Sequence, residues 1–247
     1  MADSPQAKPT SARKRHLSSS GPTEKEREYL EVIYYLAARR EPVIAARLAK
    51  WMGVQPPTVS HIVVELLKKG YINRDMRSEI TLTPEGFTLA EAMVRRHRIL
   101  ERFLVDVMRV PWDQIHAEAV RLEHALSPLM EARIEELVAG SRTCPHGNPI
   151  PGTGVGYPGS TRLDNAPVGS SFTMLRIVEE AEEDNDLMHF IQANNLIPGT
   201  TFTISDSSHA FGVTLQRDTQ SITVSPEIAS VLWGDVDEPR PPGAPRG

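Results

Sequence analysis

The chain has 247 residues, 40% of them apolar and 24% charged, an ordinary globular balance with a net charge of −5. A single cysteine, Cys144, excludes an intrachain disulfide and fits a reducing compartment. No apolar run approaches the ~20 residues that cross a bilayer, and the start lacks the layout of a secretory signal, so a cytoplasmic location without a membrane partner is expected.

The charge is unevenly spread. Residues 1–90 carry 14 Lys and Arg against 10 Asp and Glu, while residues 91–247 carry 13 against 22. A mildly basic front and an acidic back suit a nucleic-acid reader followed by a sensing part, although chance variation alone produces such differences.

Residues 1–22, rich in Ser, Pro, Lys and Arg with the cluster Arg13-Lys14-Arg15, have almost nothing to bury and read as a disordered tail. Thr23 is an N-cap with Glu24 and Glu26 in the first turn. Leu30, Ile33, Tyr34 and Ala37 then form a helical stripe to about Arg39. A second helix covers Ile44 to Met52 and stops at Gly53. A third starts at Pro56-Pro57, carries Val59, Ile62, Val63, Leu66 and Leu67 inward, and stops at Gly70. One helix before a tightly joined pair is the helix-turn-helix pattern. Tyr71 to Arg74 and Glu79 to Thr83 flank a turn and supply a wing, closing a winged-helix unit over residues 23–90. Gln55, Thr58, Ser60 and His61 are placed to reach base edges, with Pro57 among them on the DNA-facing start of the helix, and Lys68, Lys69, Arg74 and Arg77 to meet phosphates. Any small helical domain carries similar surface residues, so the wing is what tips the reading toward double-stranded DNA.

Pro84 opens a long helix through Leu89, Met93, Ile99, Leu100, Phe103 and Val107. Pro111-Trp112-Asp113 starts the next, and Ser127-Pro128 a third with Leu129, Met130, Ile134 and Leu137. These helices, residues 91–140, exceed what DNA reading needs and suit a homodimer. Met52, Met93, Met108 and Met130 lie on apolar stripes and are read as core. The Gly- and Pro-rich residues 141–169 read as a linker or irregular loop. From Ser170 to residue 233 the pattern becomes β, with strands at Phe172–Val178, Thr200–Ile204, Phe211–Leu215 and Ile222–Val224. A short helix at Asn185–Asn194 interrupts them, and the whole reads as a small barrel. Gly234 to Gly247, rich in Pro, reads as a second disordered tail.

Metal-ligating side chains recur at helical spacing. His97 and Glu101 share one face; His116, Val120, Glu123 and His124 share another; Glu28 and Glu31 lie on the first helix. Surface pairs and backbone-bonded histidines are the bland account of each. Carboxylate and histidine clusters also build metalloenzymes, but the paired Glu-x-x-His motifs of di-metal oxygenases are absent, as are a Ser-His-Asp set, a phosphate loop and a dinucleotide fingerprint. An enzyme is therefore not expected. A winged-helix regulator sensing an organic ligand remains the alternative.

With GVQPPTVSHIVVELLKKGYI, RRHRILERFL, IHAEAVRLEH and TCPHGNPIPG in this order, the chain resembles the DtxR/MntR family of iron- and manganese-dependent transcriptional repressors, from about residue 24 to residue 233. The resemblance implies a mainly α chain with a small β domain: a winged helix-turn-helix, a helical dimerisation and metal-binding domain, and a C-terminal SH3-like barrel. It implies a metal-activated dimer on a palindromic operator controlling metal-uptake genes. It implies a primary metal site of Glu28, Glu31, His97, Glu123 and His124, and a second site of Glu101, His116, Cys144 and His146, completed by Asp186 in preference to Asp184. Iron-type members carry Met at the position of Glu28 and Cys at that of Val120, whereas manganese-type members carry acids. Here the acid is present at 28 and Val stands at 120, where it cannot ligate. Three carboxylates and two imidazoles without sulfur suit Mn²⁺ or Fe²⁺, with Mn²⁺ preferred.

Overall fold

The computed structural model describes residues 21–237; Arg13-Lys14-Arg15 and residues 238–247 lie outside them. The first unit is α1 (Glu24–Ala38), α2 (Ala45–Trp51), α3 (Pro56–Lys69), β1 (Ile72–Arg74) and β2 (Ile80–Leu82). Thr23 and Glu26 cap α1 reciprocally, Thr23 Oγ1 accepting from the Glu26 amide and Glu26 Oε2 from the Thr23 amide. Gly70 ends α3 with φ of 80°, a left-handed conformation in which Gly escapes the Cβ clash. The strands pair antiparallel, Ile72 opposite Leu82, and Asp75 holds the turn by accepting from the Arg77 and Glu79 amides. Tyr29, Leu30, Ile33, Leu36, Leu48, Val59, Leu66 and Ile80 form the core.

α4 (Pro84–Asp106) leaves this unit and enters the next, where it meets α5 (Ile115–Glu123) and α6 (Pro128–Leu137). Ile99, Leu100, Leu104, Ile115, Ala119 and Ile134 make a second core, and Ile150 closes it. Of the four methionines read as core, Met93 alone is buried; Met108 and Met130 are exposed, as are Leu129 and Leu137. Helical spacing locates a stripe but not what covers it.

The stretch read as a linker is a packed element in its first half. Cys144 through Pro151 are all buried, because this loop is sandwiched between α4 and the third unit. Gly147 has φ of 91°, and a Cβ there would meet the Leu175 carbonyl oxygen at 1.9 Å. The loop then supplies an edge strand, β3 (Thr161–Arg162).

The third unit contains β4 (Ser171–Ile177), α7 (Glu179–Glu182), α8 (Asn185–Ala193), β5 (Thr201–Ser208), β6 (Gly212–Arg217), β7 (Gln220–Val224), α9 (Pro226–Val231) and β8 (Leu232–Asp237). The strands form one antiparallel sheet in the order β3-β8-β4-β5-β6-β7, whose outer strands do not pair, so the small β domain is open and not a closed barrel. Gly234 to Asp237 belong to β8, paired with β4, and not to a terminal tail. Phe172, Met174, Ile191, Phe202, Ile204 and Leu215 fill its core.

Among the described residues no helix is long and apolar enough to cross a membrane.

Candidate metal centre

α1, α4 and α5 converge because their buried faces pack together, and their chemistry-bearing residues converge with them. A cavity of about 360 Å³ is lined by Glu28, Glu31, His97, His116, Val120, Glu123, His124 and Glu183, with Tyr35 and Trp51. The donors expected in the primary site thus share one space. His97 sits at its inner edge, 5% exposed, donating from Nδ1 to Glu123 Oε2 at 2.9 Å. His124 Nε2 stands 3.4 Å from Glu123 and 3.4 Å from Glu24, and Glu28 accepts from Lys25.

Like charge accumulates here. Burial, together with Glu123, pushes the Glu31 carboxyl up to about 8. Burial pulls His97 down, but Glu101 and hydrogen bonds to Glu101 and Glu123 outweigh it and bring the imidazole up to about 10. The surrounding carboxylates thus favour the protonated imidazole, and a proton held there has to leave before the ring can ligate a metal.

On the other side of His97 lies a second cluster. Its Nε2 is 3.1 Å from Glu101 Oε1 and 3.1 Å from His116 Nδ1. His97, Glu101, His116 and Glu182 each place a donor atom within 4.8 Å of the others, as do Glu101, Cys144 and His146. His146 Nδ1 is 3.3 Å from Glu101 and 3.3 Å from Glu182. Burial raises the Cys144 thiol to about 12. Glu101 is driven upward by burial but held well below the carboxylate range by His146 and His97. The acid that the C-terminal unit brings to this cluster is Glu182, not Asp186 or Asp184: Asp186 is exposed in the first turn of α8, and Asp184 caps that helix by accepting from the Leu187 amide. The extra turn α7 shifts the register by placing Glu182 inward.

Glu101 Oε2, His116 Nε2 and both ring nitrogens of His146 are buried without a hydrogen-bond partner. Buried polar atoms are normally satisfied, so this set of carboxylate, imidazole and thiol donors fits a divalent cation.

Sequence reading missed the residues that close the clusters. Arg98, 2% exposed, donates to Glu179 at 2.6 Å and to Tyr157 Oη at 3.1 Å, and bonds the Pro149 carbonyl. Asn148 Nδ2 donates to Glu182 at 2.9 Å. The visible signal was the acidic run Glu179-Glu180-Ala181-Glu182-Glu183, whose density exceeds what a solvated four-residue helix needs.

In the first unit, Gln55, Pro57, Thr58, Ser60 and His61 are exposed along the start of α3, and Arg74 and Arg77 on the wing. Lys68 is exposed and paired with Glu65 at 2.7 Å. Lys69 instead turns inward to Glu26 at 2.7 Å and is not available to phosphate.

Two family patterns match in succession: "iron dependent repressor, N-terminal DNA binding domain" over residues 23–78, and "iron dependent repressor, metal binding and dimerisation domain" over residues 83–152. The iron-dependent repressor IdeR of Mycobacterium tuberculosis is 34% identical over 216 residues, covering 83% of this chain and 94% of the relative. The diphtheria toxin repressor of Corynebacterium diphtheriae is 31% identical over 171 residues, covering 68% and 71%. Among solved structures, a manganese-dependent transcriptional repressor in complex with manganese superposes with a TM-score of 0.72 at 28% identity, covering 85% of this chain and 98% of its own. The IdeR of T. acidophilum superposes at 0.68 with 29% identity, covering 88% and 100%. This chain belongs to the DtxR/MntR family of iron- and manganese-dependent transcriptional repressors.

Proposed function

We propose that the protein is a homodimeric, metal-sensing transcriptional repressor that occupies a palindromic DNA operator when loaded with Mn²⁺ or Fe²⁺, Mn²⁺ being preferred. One observation carries the reading: the side chains that α1, α4 and α5 direct inward line a single cavity, and α1 is at once a wall of that cavity and a core helix of the DNA-reading unit. Glu28, Glu31, His97, Glu123 and His124 would hold the first cation, and Glu101, His116, Cys144, His146 and Glu182 the second.

The cation supplies the positive charge that lets crowded carboxylates ionise together. The chain does the rest. Glu28 and Glu31 transmit the position of α1 to α3, because Leu30, Ile33, Val59 and Leu66 pack in one core. In a dimer, that position sets the spacing between the two α3 helices and so their fit to successive major grooves. The exposed Leu129, Met130 and Leu137 on α6 are apolar surface of the kind a partner protomer covers. Metal shifts operator affinity only through its differential affinity for the two arrangements, typically about 1–3 kcal/mol or 5–150-fold.

The test is an operator-binding titration at fixed salt with Mn²⁺, with Fe²⁺ and with neither. A rise in affinity within the range above is expected with either metal, larger with Mn²⁺. Operator affinity indifferent to both ions ends the proposal, and a clear preference for Fe²⁺ overturns the choice of manganese. Metal-free operator binding released by a small organic molecule would favour the alternative regulator.

A further inference from the structure

The α1–α4–α5 cavity has a gap in its own wall. Val120 faces it from α5, one turn before Glu123 and His124, and offers no donor atom. The same cavity is lined by one residue from the C-terminal unit, Glu183. Glu183 follows α7, and its Oε2 stands 3.7 Å from His116 Nε2. The two nitrogens of that imidazole face different acids, for His116 Nδ1 lies 3.3 Å from Glu182 and 3.4 Å from Glu101. Consecutive residues of one turn therefore straddle His116: Glu182 enters the cluster of Cys144 and His146, and Glu183 enters the cavity of Glu28 and Glu31. Glu182 is 3% exposed in its side chain and already engaged, whereas Glu183 is 61% exposed and free to re-aim.

We infer that Glu183 supplies the anionic oxygen that Val120 cannot, so that a hard divalent cation in this cavity is gripped jointly by α1, α4, α5 and the C-terminal unit. This rests on the metal-sensing reading above and adds a ligand to it. Carboxylate in place of thiolate or apolar side chain keeps the donor set all oxygen and nitrogen, which suits Mn²⁺. The consequence is that both cations would tie the C-terminal unit to the rest, one through Glu182 and one through Glu183.

The experiment is a Mn²⁺ titration of the purified full-length chain, free Mn²⁺ being counted by electron paramagnetic resonance. The unmodified chain should hold both cations tightly. Glu183→Gln should weaken one of them by about 10–100-fold, the range seen when a metal site loses a supporting polar group, and leave the other unchanged. Adding Val120→Asp to that variant, at a position 40% exposed and so tolerant of a carboxylate, should restore the lost affinity. Unaltered binding of both ions by Glu183→Gln overturns the inference, and so does failure of Val120→Asp to restore it. Neither result touches the repressor reading, which falls instead if the unmodified chain binds no Mn²⁺ tightly or binds its operator without it.

Discussion

At the scale of single residues, His97 is the hinge between two sites. Each ring nitrogen serves a different acid, Glu123 on one side and Glu101 on the other, so a change at either cluster is felt by the same imidazole. Cys144 belongs to the second cluster only, 1% exposed and against His146. Replacing it with Ser keeps the volume nearly constant and removes the soft donor. Cys144→Ser should therefore weaken the second Mn²⁺ ion by about 10-fold or more while the first is unaffected, which is the mirror image of the result expected for Glu183→Gln. Two equally tight ions in the Ser variant would remove Cys144 from the site.

At the scale of elements, α1 has to be rigid at its start if its carboxylates are to report on metal. Glu26 provides this, capping Thr23 and accepting from Lys69 of α3 at 2.7 Å with 3% of the residue exposed. Burial pushes its carboxyl up, but Lys69 and Thr23 prevail and hold it below its ordinary value. A carboxyl with a depressed folded pKa contributes stability that is present above its unfolded value and is lost as pH falls through the folded one. Glu26→Gln retains the cap and removes the charge. It should lower stability at pH 7 by about 1–2 kcal/mol in urea unfolding, with the difference shrinking as pH falls below the ordinary carboxylate range. A difference that persists undiminished in acid would mean that the ion pair with Lys69 is not its source.

At the scale of the whole molecule, α7 binds the C-terminal unit to both others. Glu179 takes Arg98 of α4, Glu180 takes Arg47 of α2, and Glu182 takes His116 and His146. Arg47 also lies over the Trp51 ring, its guanidinium carbon 5.4 Å from the centroid. The bond to Glu180 is bidentate and only partly exposed, so Arg47→Ala should cost about 1.5 kcal/mol of docking. That corresponds to about tenfold faster hydrogen exchange in residues 179–183 with unchanged helix content by circular dichroism. Exchange at the original rate would show that the first unit does not hold α7.

Much of this was legible in the chain itself. The stripe of α1, Pro56-Pro57 opening α3, Gly70 closing it and the alternation in β4 are local consequences of helical and strand periodicity, set by side chains within a few residues of one another. Helical spacing also put Glu28 with Glu31, His97 with Glu101, and His116 with Glu123 and His124 on shared faces, whereas their grouping into one metal site was implied by the family resemblance and not by spacing. What only the tertiary structure decided is everything that depends on which distant surfaces meet. Residues 144–151 carry the Gly and Pro of a linker yet are buried, because two units close over them. Glu182 and not Asp186 turns inward, because α7 inserts a turn whose four residues are too few to leave a periodic trace. Local sequence determines the faces that elements present; the energy of burying them against one another, spread over contacts remote in the chain, determines which acid reaches which histidine.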